Sequence, residues 1–178
     1  STLQTGLRHL DGYRVRINRH IHRQLEDFEA LARDLHMRPT RLGEIVQDTL
    51  SGIGACDAAG PCMGGVWFVP GANPILWRSR FPASIQKRLV TWSNPQSDLT
   101  NSELELAAIV AQQDVLCQWV DTREKTFCTL TDNTPELSRA RKGSVTSEAA
   151  AAYLLRLNSL HQRHHHYLGT YDRIAGKA

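Results

Sequence analysis

Apolar positions in the first third of the chain recur at helical spacing. Ile17, Ile21, Leu25, Phe28, Leu31 and Leu35 follow one another at steps of 4, 4, 3, 3 and 4, with charged residues between them. Such a stripe predicts one amphipathic helix over 17–36. The helix must stop by Pro39, because the residue before a proline avoids helical geometry. The expectation for this segment is a packing helix with no chemistry of its own.

From residue 51 the period changes. "SGIGACDA" and "GGVWFVP" read as short strands separated by a turn rich in Gly and Pro, and "PILWRSRF" as a third strand. Turn signals over 82–98 surround a short amphipathic piece, "SIQKRLV". "TNSELELAAIVAQQDVLCQWV" predicts a long helix over 100–120, capped by Thr100 or Asn101. Its expected inner stripe is Leu104, Ala108, Ala111, Val115 and Trp119. "REKTFCTLTDNT" predicts a fourth strand with Asp132 at its end, and "PELSRARKG" a short helix. "TSEAAAAYLLRLNSLHQRHHH" predicts a longer helix, and "HYLGTYDRIAGKA" a last strand. Three strands, a helix, a strand, two helices and a strand make an α/β domain with a mixed sheet: hairpins first, then crossovers. The expected organisation is a helical connector over 1–50 and the α/β domain over 51–178.

Composition narrows this picture only a little. With 178 residues, 41% hydrophobic and 22% charged, the chain is globular in type rather than disordered. No apolar run approaches the roughly 18 residues of a membrane span, and the first residues have no signal-peptide core. The expectation is therefore an intracellular protein, of cytoplasm or nucleus, without a membrane partner. A formal charge of +3 is compatible with a polyanion partner but does not identify one. Cys56, Cys62, Cys117 and Cys128 match no zinc-binding spacing and are expected to be buried, reduced thiols.

The candidate chemistry lies in acids at element ends. Asp57 ends the first predicted strand and Asp132 the fourth. If those strands are parallel neighbours, the two carboxylates meet at the edge where open α/β sheets keep their sites. Like charges that close repel strongly, and a hard divalent cation with oxygen ligands removes the penalty. A third acid would come from the long helix. Glu103 and Glu105 each lie about 100° to one side of Leu104, so helical geometry leaves both open.

"CDAAGPCMGGVW", "TNSELELAA" and "TLTDNTPEL" resemble, in order, the first three motifs of the ribonuclease H domain attached to retroelement reverse transcriptases. "YDRIAGKA" is similar to the stretch that precedes that family's last acid. The helical front, through "RPTRLGEIV", resembles the connector between polymerase and nuclease. The resemblance spans about residues 20–178. It implies a ribonuclease-H-like mixed five-stranded sheet flanked by helices. It also implies hydrolysis of the RNA strand of RNA–DNA hybrids by two Mg²⁺ or Mn²⁺ ions, leaving a 5′ phosphate. Asp57, Glu105 and Asp132 would be the catalytic and metal-ligating residues. The motif count favours Glu105 over Glu103, which becomes a surface or supporting residue. The expected partners are an RNA–DNA hybrid and a reverse transcriptase polymerase domain.

Asn101, Ser102 and Asn133 fall near the acids and could donate hydrogen bonds to the hybrid. Arg139, Arg141 and Lys142 form the candidate phosphate-facing patch. Two departures from the family stand out. Its fourth acid follows the stretch at which this sequence stops, Ala178, and Asp172 is a poor substitute. Arg173 stands where relatives often carry His. The alternative reading is a truncated or domesticated fold without catalysis, serving as a nucleic-acid-binding or protein-interaction module. An integrase or transposase of the same fold is a third reading, disfavoured by the "TNSELEL" helix opening.

"HQRHHHY" places His161 and His165 four residues apart, on one helix face. No further ligand is evident at a suitable spacing. The expectation is solvated histidines, favoured by the negative end of the helix dipole.

Overall fold

The computed structural model describes residues 17–132, Ala140 and residues 149–174, with the side chains of His20 and Ala149 left aside. The chain divides into two compact units, Ser1–Thr40 and Arg41–Ala178. In the first, helix α1 spans Arg19–Met37, and the Asn18 side chain caps it by accepting from the Ile21 N–H at 2.9 Å. Ile21 is buried, whereas Leu25, Phe28, Leu31 and Leu35 are 40–62% exposed.

The second unit holds the remaining elements: β1 Leu50–Ala59, β2 Cys62–Phe68, β3 Ile75–Arg80, α2 Ala83–Gln86, α3 Asn101–Trp119, β4 Thr126–Thr131, α4 Ala149–His165 and β5 Leu168–Arg173. The five strands form one sheet in the order β3-β2-β1-β4-β5. β1 pairs antiparallel with β2, and β2 with β3. β4 lies parallel to both β1 and β5. This is the ribonuclease-H-like mixed sheet flanked by helices. The segment from Arg41, which the sequence pattern places in the connector, belongs to this unit. Arg41 pairs with Glu124, Glu44 with His166 Nδ1 at 2.9 Å, and the Asp48 N–H donates to Thr126 Oγ1 at 3.1 Å.

Local sequence explains the hairpin. Gly60, at φ +55°, supplies the positive φ of a two-residue turn, and Pro61 follows it. Ala59 and Cys62 close the ladder. β1 then runs past α3 at very short range. A Cβ on Gly54 would collide with the Gln112 side-chain amide of α3 and would lie 2.6 Å from both Trp67 Cε3 and the Val66 carbonyl oxygen. Only hydrogen fits there.

The inner side of α3 agrees with the stripe expected from the sequence at Leu104 and Ala108, which are buried, but departs from it further along the helix. Trp119 is 74% exposed, and the fully buried line runs through Leu106, Ile109, Gln112, Gln113 and Leu116. The apolar pattern does not reveal it because two glutamines stand on the buried face. Both are hydrogen-bonded, as buried amides must be. Gln112 Oε1 accepts from Trp77 Nε1, and its Nε2 donates to the Val66 carbonyl at 2.9 Å. Gln113 Nε2 donates to Thr129 Oγ1 at 2.7 Å. These bonds tie α3 to β2, β3 and β4 and hold the helix against sliding.

Apolar packing completes the unit. Cys56, Ala58, Phe81, Leu104, Leu106, Ile109, Leu155 and Tyr171 belong to one cluster. Trp67, Leu116, Phe127 and Tyr167 belong to another, whose aromatic rings make edge-to-face contacts with centroids 6.0 and 6.3 Å apart. No described helix is long and apolar enough to cross a membrane. Of the predicted "PELSRARKG" helix only Ala140, helical and buried, is among the described residues.

If close approach at Gly54 sets the β1–α3 spacing, Gly54→Ala will destabilise the protein by about 1–3 kcal/mol, the usual cost of overpacking. Urea denaturation reads this as a lower midpoint at unchanged slope. An unaltered midpoint would show that β1 and α3 can separate freely.

Candidate active site

β1 and β4 are parallel neighbours, with Ala55 opposite Leu130. Asp57 stands two residues beyond that pair on β1, and Asp132 follows the last residue of β4. Both strands therefore deliver an acid to the same rim. α3 packs beside β1 and supplies the third from its first turns. Carboxylate oxygens of Asp57, Glu105 and Asp132 all lie within 4.8 Å of one another. Asp57 and Asp132 are exposed, and Glu105 is 8% exposed.

The first turn of α3 separates the two glutamates that helical geometry leaves open. Glu103 turns back on its own N-terminus. Its Oε2 accepts from the Thr100 N–H at 2.7 Å and from the Thr100 hydroxyl, the reciprocal arrangement of a capping box. Glu105 faces the aspartates, and its Oε1 accepts from Asn101 Nδ2 at 2.8 Å. Asp57 Oδ1 accepts from the Ala58 N–H at 2.7 Å, which fixes its rotamer. The field of the acids is felt behind the sheet. The pKa of the Cys56 thiol is pushed up to about 12, first by burial and then by the charges of Asp57 and Glu105.

Three carboxylates crowded onto one rim, two of them open to solvent, fit a hard divalent cation such as Mg²⁺ or Mn²⁺. The donor set is all oxygen, and no described Lys or Arg pairs with Asp57 in the site. Asn101 and Ser102 sit on the same helical turn as Glu105. Asn133, Arg139, Arg141 and Lys142 lie outside the described residues. Asp172 is on β5, opposite Leu130 of β4, and Arg173 opposite Thr131.

A second group of ligating side chains escapes a reading of the sequence. Cys117, His161 and His165 bring sulfur and ring nitrogens within 4.8 Å of one another. His161 is not solvated: its side chain is 13% exposed. Burial lowers the pKa of both His161 and His165, with neighbouring histidines adding to the effect. Burial likewise raises the pKa of the Cys117 thiol to about 11. The signal is the Cys in "DVLCQW", which only the packing of α3 on α4 brings to the histidines. None of the four cysteines forms a disulfide; Cys56 and Cys128 are buried, Cys62 and Cys117 half-buried.

Neither a protein-family model nor a curated protein matches the sequence. Solved structures that align with this chain include ribonuclease H1 from the halophilic archaeon Halobacterium salinarum NRC-1, at TM-score 0.46 and 10% identity, covering 70% of this chain and 85% of that one. The N-terminal ribonuclease H domain of a Mycobacterium tuberculosis protein aligns at TM-score 0.49 and 12% identity, covering 71% of this chain and 84% of that one. A foamy viral protease–reverse transcriptase in complex with RNA/DNA hybrid aligns over 99% of this chain but 23% of its own length, at TM-score 0.41 and 11% identity. The topology and the acidic rim define a ribonuclease-H-like α/β domain carrying a candidate divalent-cation site.

The two glutamates give a paired test. Glu105→Gln is expected to weaken Mn²⁺ binding at least tenfold by calorimetry while raising the thermal midpoint of the metal-free protein, because it relieves like-charge repulsion. Glu103→Ala is expected to keep Mn²⁺ affinity and to cost about 1 kcal/mol as the capping box is lost. The reverse pattern would show that the assignment of the two is wrong.

Proposed function

We propose that this chain hydrolyses the RNA strand of RNA–DNA hybrids with the help of divalent cations, as the nuclease part of a retroelement reverse transcriptase. The observation that carries this reading is the meeting of Asp57, Glu105 and Asp132 within 4.8 Å at one sheet rim. The retroelement context rests on the motif resemblance of "CDAAGPCMGGVW", "TNSELELAA" and "TLTDNTPEL".

Asp57, Glu105 and Asp132 would hold Mg²⁺ or Mn²⁺. Bound there, such ions would supply Lewis-acid charge to a phosphodiester and would lower the pKa of an attacking water. The protein's own part is placement. Asn101 holds the Glu105 carboxylate through its Oε1. Thr100 and Glu103 cap the helix that carries Glu105. The exposure of Asp57 and Asp132 leaves the rim open to a polyanion. Asn101 and Ser102 are the described polar groups beside it and are suited to hydrogen-bond the 2′-hydroxyls that distinguish RNA from DNA.

The test is incubation of the purified chain with a labelled hybrid and Mg²⁺ or Mn²⁺. The expected result is metal-dependent cleavage of the RNA strand, leaving 5′-phosphate ends. Asp57→Asn should lower the rate at least about a hundredfold, the scale on which lost charge stabilisation acts. Binding of the hybrid without cleavage under every metal condition would overturn catalysis and favour a nucleic-acid-binding module.

A further inference from the structure

We propose that Cys117 and Asp114 of α3 and His161 and His165 of α4 form a zinc site that staples the two helices together. It lies apart from the acidic rim and does not depend on the nuclease reading.

The arrangement comes from two helical spacings that face each other. Asp114 and Cys117 are three residues apart on α3, and His161 and His165 are four apart on α4. Each spacing puts two side chains on one face. α3 and α4 pack together, so the two faces meet. The sulfur and the ring nitrogens fall within 4.8 Å of one another. The two imidazole centroids are 4.4 Å apart.

Hydrogen bonding leaves one nitrogen poised for a ligand. His161 Nδ1 meets the hydroxyl of Tyr167 at 3.1 Å, a partner buried to 1% exposure. His161 Nε2 is buried and has no hydrogen-bond partner. Its nearest acidic atom, Asp114 Oδ1, is 3.4 Å away. Two ligands at about 2.0–2.1 Å from a tetrahedral zinc stand about 3.3–3.4 Å apart, so this pair already has the spacing of one edge. Tyr167 then holds the ring as outer partners of zinc-bound histidines do.

The far side is also held. Cys117 Sγ lies 3.7 Å from Thr122 Oγ1, and that hydroxyl donates to the His165 carbonyl at 3.1 Å. An open cavity of about 350 Å³, lined by Cys117, Thr122 and His165 among others, gives an ion a route from solvent. Sulfur with two imidazoles and a carboxylate suits Zn²⁺ better than the hard cations of the acidic rim. On binding, the Cys117 thiol gives its proton to solvent and the sulfur takes the metal.

The experiment titrates the metal-free full chain with Co²⁺, and separately with Zn²⁺ against a chromophoric chelator. One equivalent of Co²⁺ should give tetrahedral d–d bands and a thiolate-to-cobalt charge-transfer band. Cys117→Ser should remove the charge-transfer band. His165→Asn, a change at a helix end that leaves the core intact, should weaken Zn²⁺ at least about tenfold, the scale on which even outer partners of zinc act. Asp57→Asn should leave both signals intact. Absence of the charge-transfer band in the parent chain, unchanged Zn²⁺ affinity in His165→Asn, or loss of binding in Asp57→Asn would each overturn the proposal.

Discussion

Mutual repulsion of three carboxylates is the constraint around which the second unit is arranged. At separations of a few ångströms like charges repel, the more strongly the less water lies between them. The fold bears this cost because it cannot avoid it. Parallel pairing of β1 with β4 fixes two acids on one rim, and the start of α3 adds the third. Replacing any one of the three by an amide would relieve the crowding.

The rest of the unit makes that crowding rigid. Gly54 lets β1 approach α3 without a side chain between them. Gln112 and Gln113 then lock the helix to three strands through bonds that apolar residues could not supply. Sliding of α3 by one turn would carry Glu105 about 5.4 Å from the aspartates. It would also leave both buried amides unsatisfied, at roughly 1–3 kcal/mol each. The polar core therefore protects the register on which the site depends.

Much of this arrangement is legible in the amino-acid sequence. Short apolar runs bounded by turn residues locate β1, β2 and β4, period-3.6 runs locate α1, α3 and α4, and the positions of Asp57 and Asp132 at strand ends point to one rim. The two glutamates of α3 are equivalent by helical angle, so that only the motif count favours Glu105, a choice with which the local Thr100–Glu103 capping box agrees. Features that depend on non-local packing are not legible there. Apolar character points Trp119 inward, yet the buried line carries glutamines. Cys117 lies more than forty residues from the histidines it meets, a distance that spacing rules for metal ligands do not reach. α3 thus serves two clusters, with Glu105 near its start and Cys117 near its end, about 18 Å apart along the helix axis at 1.5 Å per residue.

The central claim is that three carboxylates at one rim act together as a divalent-cation site. Paramagnetic broadening of amide resonances by substoichiometric Mn²⁺ tests it most directly. The account predicts that broadening centres on Ala58, Glu105 and Asp132 and disappears when excess Mg²⁺ is added. Broadening that centres elsewhere on the sheet, or that touches these three residues no more than the general surface, would contradict it.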